Sequence, residues 1–359
     1  MATAPDLLLA AQAEFERALR RNIKGLEYFA SPAPVLGVSP KDVLIERGTM
    51  RLYRYRPRVD DVYRVPLLLV MATTNRGYIF DMAPGQSLVE YLLNAGFDVF
   101  MLDWAPPRAD ERTLTLESYV LDFLPSAVAR VQEETGEPDV SVVGYCFGGV
   151  LSLLWAALEG GGDGGGPLAN LVTFTTPVDF HAMEMFQAWA DRRFFDVDRL
   201  VDTFGNCPGD YLYTAFDMLR PGTRAVTGVR LYEQLHDEEF VKSFRMFDRW
   251  ASDILPLAGE YFRQTTKLLM WENRLLEDTL ELGGRRVDLA QIAAPFLHVA
   301  AQHDHIVPTG ASAPLIGLIG SADKEEVVLK GGHVSLVAGG NAVKRLWPKL
   351  VQWLGVRST

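Results

Sequence analysis

The chain has 359 residues, of which 48% are hydrophobic and 23% are charged, a composition typical of a globular protein. Its formal net charge of −11 argues against a nucleic-acid-binding role, because such a role needs a basic surface. Two cysteines are too few for a disulfide framework, and neither a signal-peptide pattern nor an apolar run of about 18 residues is present, so we expect a cytoplasmic protein without a transmembrane span.

The first half of the chain alternates predicted strands and helices. An amphipathic helix over 5–29 comes first, and it either packs on its own domain or docks to a partner or a hydrophobic surface. The strands that follow are short apolar runs, and the helices have apolar residues at helical spacing. This alternation predicts an α/β fold with a mostly parallel central sheet and helices on both faces. The predicted strands are 49–56, 65–72, 97–104, 139–145 and 168–180, and the predicted helices are 87–96, 115–136 and 148–160.

The composition changes after about residue 180. Residues 181–288 are rich in aromatic residues and helix formers and contain few strand-like runs, which predicts a helical cap inserted into the core. The α/β pattern then resumes with strands over 294–304 and 325–333 and a closing helix over 341–356. We therefore assign 1–180 and 289–359 to the core. The glycine-rich run at 160–166 is interpreted as a surface loop without chemistry.

The segment "GYCFGG" carries the first chemical signal. Gly144 and Gly148 enclose Cys146 in the pattern Gly-x-nucleophile-x-Gly, between a predicted buried strand and a predicted helix. A cysteine at the start of a helix is favoured as a thiolate, and the backbone N–H of Phe147 points to where an oxyanion would develop. We predict that Cys146 is a nucleophile, although many buried cysteines are inert small side chains.

Two later residues complete a candidate triad in the order that this turn requires. Asp304 in "QHDHIVP" and His333 in "KGGHVSL" each lie just beyond a predicted strand. We predict that His333 is the base and that Asp304 orients it. The simpler alternative is that both are ordinary turn residues without a catalytic role. His303 and His305 are interpreted as neighbours that shape the aspartate loop, and no histidine spacing predicts a metal site. The other histidines and the second cysteine are interpreted as structural or exposed: His181, His236, His298 and Cys207.

A second oxyanion donor is expected from the loop after the first central strand, "MATTNRGY" (71–78). The backbone N–H of Thr74 or of Asn75 is the candidate. Arg76 in the same loop either meets an anionic group of a ligand or has a structural role. The sequence leaves both pairs of alternatives open.

These motifs resemble the polyhydroxyalkanoate (PHA) synthases, and specifically the class III catalytic subunit, PhaC, of the α/β-hydrolase superfamily. The resemblance covers nearly the whole chain. It implies an α/β-hydrolase fold with a helical cap, and it assigns the nucleophile, acid and base to Cys146, Asp304 and His333. The blocks that carry it include "LYRY" (52–55), "VPLLLVMATTNR" (65–76), "GYCFGG" (144–149), "VDTFGNCPG" (201–209), "DHIVP" (304–308) and "GGH" (331–333).

The resemblance also implies a reaction and partners. Members polymerise (R)-3-hydroxyacyl-CoA, with (R)-3-hydroxybutyryl-CoA as the first choice, into a polyester through an acyl thioester on Cys146, and they release CoA. The CoA thioester is the substrate, so no cofactor is expected. The implied partners are a second, PhaE-like synthase subunit, a second copy of the chain, and the growing polyester at a granule surface.

Phe147 departs from the resemblance, because relatives more often have a polar side chain there, and the acyl preference is expected to change with it. Two other functions fit parts of the sequence. A cysteine-type α/β hydrolase or thioesterase needs the same turn and triad but forms a free hydroxy acid. A non-catalytic scaffold subunit would not need the intact triad.

Overall fold

A computed structural model describes residues 4–160, 166–220 and 222–359. Most of the predicted glycine-rich loop at 160–166 lies outside the described residues. The chain divides into two compact units, one formed by 1–36 with 220–252 and the other by 37–219 with 253–359.

The larger unit contains an eight-stranded sheet within the described part of the chain. Its strand order is β1-β2-β4-β3-β5-β6-β9-β10; β2 runs antiparallel to both its neighbours, and the remaining pairs are parallel. A separate two-stranded hairpin is formed by β7 and β8. The strands are β1 (Lys41–Arg47), β2 (Met50–Tyr55), β3 (Leu67–Val70), β4 (Val99–Trp104), β5 (Val140–Tyr145), β6 (Leu168–Phe174), β7 (Glu281–Leu282), β8 (Arg285–Arg286), β9 (Phe296–Ala301) and β10 (Lys324–Leu329).

Several helices of the larger unit contact this sheet. Within the unit, α3 (Leu124–Thr135) packs against α4 (Phe147–Glu159), and α2 (Leu88–Asn94) packs against α14 (Gly340–Gly355). The α-helices of the described chain are α1 (Ala4–Ala30), α2 (Leu88–Asn94), α3 (Leu124–Thr135), α4 (Phe147–Glu159), α5 (Glu184–Trp189), α6 (Val197–Phe204), α7 (Gly209–Met218), α8 (Thr223–Gln234), α9 (Glu238–Ser252), α10 (Gly259–Gln264), α11 (Thr309–Ser312), α12 (Leu315–Leu318), α13 (His333–Val337) and α14 (Gly340–Gly355).

Burial explains why the central strands are continuous apolar runs. Every residue of β3 and of β5 is buried, as expected for parallel strands that are covered on both faces. The edge strand β10 instead alternates exposed and half-buried residues. The predicted α/β class with a mostly parallel sheet is confirmed.

The predicted helix over 115–136 is confirmed as one continuous helical run from residue 116 to residue 135, but it is not α-helical throughout. The segment Ser118–Phe123 is π-helical, and the α-helix α3 begins only at Leu124. Pro125 has no N–H to donate, so an ordinary α-helical hydrogen bond is missing at this position, directly after the π-helical stretch. Gly136 ends α3 with a φ of 76°, a left-handed conformation that favours glycine.

Other boundaries differ by a few residues, and the edge strand β1 and the short strands β7 and β8 were not predicted. Strand β6 ends at Phe174, although the apolar run continues toward residue 180, because Thr175 has a φ of 45° and leaves the strand direction. Strand β1 lies next to β2 at the edge of the sheet, and its mixed burial hides the periodicity. Helix α2 begins after Ser87, whose hydroxyl accepts the N–H of Glu90 at 2.9 Å.

The smaller unit consists of α1, α8 and α9 within the described residues. Helix α1 agrees with the predicted amphipathic helix and has a row of exposed apolar side chains that includes Leu8, Phe15, Leu19 and Leu26. The predicted cap, 181–288, includes residues of both units, and its boundaries stay a prediction. No helix among the described residues is long and apolar enough to cross a bilayer.

The core of the sheet contains a histidine whose burial was not predicted from the sequence. His298 on β9 is fully buried, and its Nδ1 lies 2.8 Å from the hydroxyl oxygen of Thr173 on β6. Burial lowers the pKa of His298 to about 4, because the cationic form loses its hydration. Below its usual pKa the unfolded chain therefore binds a proton that the folded chain does not.

This difference predicts a loss of stability in acid. Between pH 6.5 and pH 4 the free energy of unfolding should fall by up to about 3 kcal/mol on account of His298 alone. The variant His298→Asn keeps a polar partner for Thr173 but does not titrate, so its thermal midpoint should change less over this pH range. Scanning calorimetry of both proteins at several pH values measures the difference, and equal pH slopes would contradict the prediction.

Candidate active site

The turn between β5 and α4 exposes Cys146. Its backbone has a φ of 54° and a ψ of −122°, a strained combination for a residue with a side chain. The turn is held by hydrogen bonds from the N–H of Cys146 to the carbonyl oxygen of Phe174 at 2.9 Å and from the N–H of Gly149 to that of Cys146 at 3.0 Å. Cys146 therefore stands at the N-terminus of α4 and is only partly buried.

Glycines around the turn are required by close backbone contacts. A Cβ atom at position 148 would collide with the carbonyl oxygen of Val70 at the end of β3. A Cβ atom at position 144 would collide with the backbone of Gly149. The first turn of α4 thus lies directly against the end of β3 and the start of the loop that follows it.

Asp304 and His333 meet beyond the ends of β9 and β10. The Nδ1 atom of His333 lies 2.7 Å from Oδ2 of Asp304. The other carboxylate oxygen accepts the N–H groups of Ile306 at 2.8 Å and of Val307 at 2.9 Å. Both oxygens of the buried carboxylate are therefore occupied, and its orientation toward the imidazole is fixed.

The charges around His333 favour an imidazolium. Burial by itself lowers the pKa of His333, but the Asp304 carboxylate and the Cys146 thiol outweigh burial and raise the pKa to about 10. A buried tyrosine supports the ring, since the Tyr145 and His333 ring centres are 5.2 Å apart. The structure thus brings Cys146, His333 and Asp304 together, at carboxyl ends of parallel strands.

The loop over 71–78 passes beside the turn. Thr74 lies on the wall of the same cavity as Cys146 and Phe147. Asn75 pairs through its backbone with Ile254 in an antiparallel bridge, and the carbonyl oxygen of Thr74 accepts the N–H of Leu255 at 2.8 Å. Both candidate oxyanion residues are therefore held by a segment distant in sequence.

Arg76 in this loop has protein partners. Its Nε lies 3.4 Å from Oδ1 of Asp253, and its guanidinium also donates to the carbonyl oxygen of Trp104 at 3.3 Å. Tyr78 donates to the second oxygen of Asp253 at 2.9 Å. These contacts favour the structural role over the ligand-binding role for Arg76.

Tyr261 on α10 was missed by the sequence reasoning. Its hydroxyl lies 3.1 Å from that of Thr73, the residue before Thr74, and its ring centre lies 5.9 Å from that of Phe147. The two hydrogen-bonded residues are 188 positions apart. No local pattern in the sequence could have predicted this contact.

An apolar cavity of about 190 Å³ opens onto Cys146. Its walls come from the turn, from the loop beyond β9 and above all from α5, α7, α10 and the π-helical segment Thr265–Trp271. Most lining side chains are apolar, and the few polar groups are threonine hydroxyls, the Trp189 indole and the Tyr211 hydroxyl. The ring-bearing residues of the wall are Phe147, Phe180, Phe186, Trp189, Phe195, Tyr211, Phe216 and Phe262.

The remaining candidates lie outside this arrangement. His303 is exposed, and its N–H donates to the carbonyl oxygen of Gly331 at 2.8 Å, so it supports the loop before His333. His181 and His236 are also exposed. Cys207 is buried, and burial raises the pKa of its thiol to about 12, which agrees with a structural role.

Comparisons with known proteins identify two families. Residues 67–339 match the family described as "alpha/beta hydrolase fold", and residues 33–92 match "Poly-beta-hydroxybutyrate polymerase (PhaC) N-terminus". The first match extends from β3 to the end of α13 and contains all three residues of the candidate triad. The predicted α/β-hydrolase fold is confirmed.

Several relatives share a single name, "Poly(3-hydroxyalkanoate) polymerase subunit PhaC". The protein of Allochromatium vinosum is 36% identical over 359 residues, with 98% of each chain covered. That of Thiocystis violacea is 33% identical over 359 residues, with 99% of this chain and 98% of the relative covered. That of Haloferax mediterranei is 33% identical over 326 residues, and this chain covers 65% of its length.

Solved structures agree on the fold at much lower identity. A putative lipase from Sulfolobus solfataricus superposes with a TM-score of 0.55 at 14% identity, covering 88% of this chain and 99% of that one. A monoglyceride lipase from Saccharomyces cerevisiae gives a TM-score of 0.54 at 16% identity, covering 92% of this chain and 100% of that one. These likenesses concern the fold alone.

The electrostatics of the triad predict how fast Cys146 reacts with iodoacetamide. In the variant Asp304→Asn the imidazole loses its anionic partner, so at pH 7 it should be neutral and should stabilise negative charge on the attacking sulfur less well. Alkylation of Cys146, followed by mass spectrometry, should slow by about tenfold.

The second cysteine provides the control. In Cys207→Ser the alkylation rate should equal that of the wild type, and one alkyl group per chain should be found in both, because the Cys207 thiol is buried and protonated. An unchanged rate in Asp304→Asn would show that the carboxylate does not govern the charge at this site.

Proposed function

The chain belongs to the poly(3-hydroxyalkanoate) polymerase family, as a PhaC subunit, and we propose that it polymerises (R)-3-hydroxyacyl-CoA thioesters with Cys146 carrying the acyl chain. The observation that supports the role of Cys146 is its position: it stands on a strained turn, beside an imidazole that a buried carboxylate keeps charged. (R)-3-Hydroxybutyryl-CoA is the proposed first substrate.

In the first half-reaction the Cys146 thiolate attacks the thioester carbonyl. The new S–C bond gives a tetrahedral oxyanion, which accepts hydrogen bonds from the N–H of Phe147 and from that of Thr74 or Asn75. When the intermediate collapses, the bond from carbon to the CoA sulfur breaks and the imidazolium of His333 donates its proton to that sulfur. Free CoA and an acyl thioester on Cys146 result.

In the second half-reaction a hydroxyl of a hydroxyacyl group attacks the thioester on Cys146. The neutral His333 accepts the hydroxyl proton, an ester bond forms, and the Cys146 thiolate leaves beside the regenerated imidazolium. The occupied oxygens of Asp304 support His333 as the base in this step too, because they already accept the His333 ring and two backbone N–H groups. Asp304 then acts by orientation and charge.

The cavity supports transfer to a hydroxyl group over hydrolysis. Water competes with the hydroxyl for the acyl thioester, so the site has to exclude it through most of the cycle. Aromatic walls around Cys146 provide an environment that holds acyl chains and is unfavourable for water. We propose the helical segment 181–288 as the cap that supplies most of these walls.

The proposal extends to cofactors, partners and place of action. The CoA thioester brings its own leaving group, so the reaction requires no further cofactor. The word "subunit" in the relatives' names supports a second, PhaE-like synthase subunit. We further propose a homodimer that acts in the cytoplasm, at the surface of a polyester granule.

A product assay tests the proposed reaction. With (R)-3-hydroxybutyryl-CoA, the chain should release CoA and form insoluble polyester in proportion, with and without a candidate second subunit. CoA release is followed with a thiol reagent and polyester by gas chromatography after methanolysis. CoA release with free 3-hydroxybutyrate and no polyester would identify a thioesterase instead.

Variants of the nucleophile test its identity. Cys146→Ala should lose CoA release entirely, and Cys146→Ser should lose at least a thousandfold in kcat, because a hydroxyl next to His333 ionises far less readily than a thiol. Both variants change one small side chain, so circular dichroism should match the wild type. Full activity in either variant would refute a catalytic role for Cys146.

The ring of Phe147 should limit the acyl chain. It lies on the cavity wall, with its ring centre 6.4 Å from that of Phe180. Phe147→Ala should raise kcat/KM for 3-hydroxyhexanoyl-CoA relative to 3-hydroxybutyryl-CoA by about tenfold or more. Phe147→Met, which conserves most of the volume, should keep the wild-type ratio; an unchanged ratio in Phe147→Ala would place the acyl chain elsewhere.

A further inference from the structure

The two proposed sources of oxyanion donors belong to different parts of the fold, and one side chain contacts Phe147 in the first and the residue before Thr74 in the second. The N–H of Phe147 belongs to the start of α4, whereas Thr74 lies in the loop after β3. Tyr261 reaches the first through its ring, at 5.9 Å between ring centres, and the neighbour of the second through its hydroxyl, 3.1 Å from the Thr73 hydroxyl.

This hydrogen bond is buried on both sides. Thr73 is 4% exposed and Tyr261 is 1% exposed. Burial raises the pKa of Tyr261 well above its usual range, so its hydroxyl stays protonated at any pH at which the protein is folded. Tyr261 is not part of the cavity wall. Its effect on the reaction should therefore pass through its neighbours.

Aromatic contacts hold Tyr261 in place. Its ring centre lies 4.3 Å from that of Tyr119 in the π-helical segment Ser118–Phe123. The ring centre of Tyr119 lies 5.0 Å from that of Trp104 at the end of β4. The indole N–H of Trp104 donates to the carbonyl oxygen of Met71 at 2.9 Å. A continuous series of contacts through Trp104, Tyr119 and Tyr261 therefore joins Met71 to Thr73, both in the loop over 71–78.

The chain next to Tyr261 holds the other side of the loop. The N–H of Leu255 donates to the carbonyl oxygen of Thr74, and Ile254 bridges to Asn75. These backbone contacts restrict the loop along its length, whereas the Tyr261 hydroxyl is the side-chain contact that fixes it at Thr73. Oxyanion donors act only when they are held within a few tenths of an ångström of the developing charge.

We propose that Tyr261 is a positioning residue of the oxyanion hole, which fixes the loop through the hydroxyl of Thr73 and the start of α4 through the ring of Phe147. The inference rests on the proposed acyl transfer through Cys146. It assigns Tyr261 an effect on steps that form a tetrahedral oxyanion and no effect on the charge of the thiol–imidazole pair.

The variant Tyr261→Phe tests this proposal, because it keeps the ring and its aromatic contacts and removes only the hydroxyl. In it, kcat for CoA release from (R)-3-hydroxybutyryl-CoA should fall about 10- to 100-fold, with KM changed less than threefold. Alkylation of Cys146 by iodoacetamide forms no tetrahedral oxyanion, so its rate and pH profile should stay those of the wild type. A general loosening of the fold would slow both reactions.

Two further variants sharpen the test. Tyr55→Phe removes another buried hydroxyl, which lies 3.6 Å from the Met101 sulfur on neighbouring strands, and it should leave kcat unchanged. Thr73→Val removes the other partner of the Tyr261 hydroxyl, and the double variant should be no slower than the slower single variant.

The possible results distinguish failure of the positioning role from failure of the proposed function. A wild-type kcat in Tyr261→Phe, or a parallel loss of CoA release and alkylation, would overturn the positioning role. A Tyr55→Phe variant as impaired as Tyr261→Phe would do the same. Wild-type protein that releases no CoA would instead overturn the proposed function, and the inference with it.

Discussion

The site depends on one close contact, between the first turn of α4 and the end of β3. Gly148 allows the helix to start against the Val70 carbonyl, and no residue with a Cβ atom fits there. This contact places the Cys146 side chain and the Phe147 N–H directly beside the loop that leaves β3. The positive φ of Cys146 is the strain that results, and packing of the buried strands on both sides maintains it. The two halves of the proposed oxyanion hole are neighbours for the same reason.

The charges of Asp304 and His333 act together with this backbone geometry. The triad confines one carboxylate and one imidazole in a buried space, and the short bond between them makes the imidazolium the favoured form. A serine at position 146 would have to be deprotonated during attack, whereas a thiol can ionise beforehand. The use of cysteine on a turn that commonly exposes serine is thus consistent with a neighbour that stays positive at neutral pH.

Much of this could be predicted from the sequence, because the signals are local. Buried parallel strands are continuous apolar runs, the glycines mark the turn, and Asp304 and His333 each follow a strand. The errors have physical causes that are equally specific. Thr175 turns the chain away from the direction of β6, so the predicted strand over 168–180 was too long, and β1 is an edge strand without a clear period. Tyr261 could not be identified from the sequence, because its proposed role depends on a hydrogen bond to Thr73, which lies 188 positions away in the chain.

The choice of a thiol also bears on the direction of transfer. Under the proposed mechanism, passage of the acyl group from CoA to Cys146 exchanges one thioester for another and is nearly balanced. Transfer to a hydroxyl converts a thioester to an ester and runs downhill, so elongation is driven at the step in which the chain grows. Hydrolysis runs downhill as well, and thermodynamics alone cannot exclude it. Transfer to a hydroxyl must therefore outpace hydrolysis kinetically. The largely aromatic walls around Cys146 favour this outcome, because they have few polar groups to hold a water molecule in position for attack.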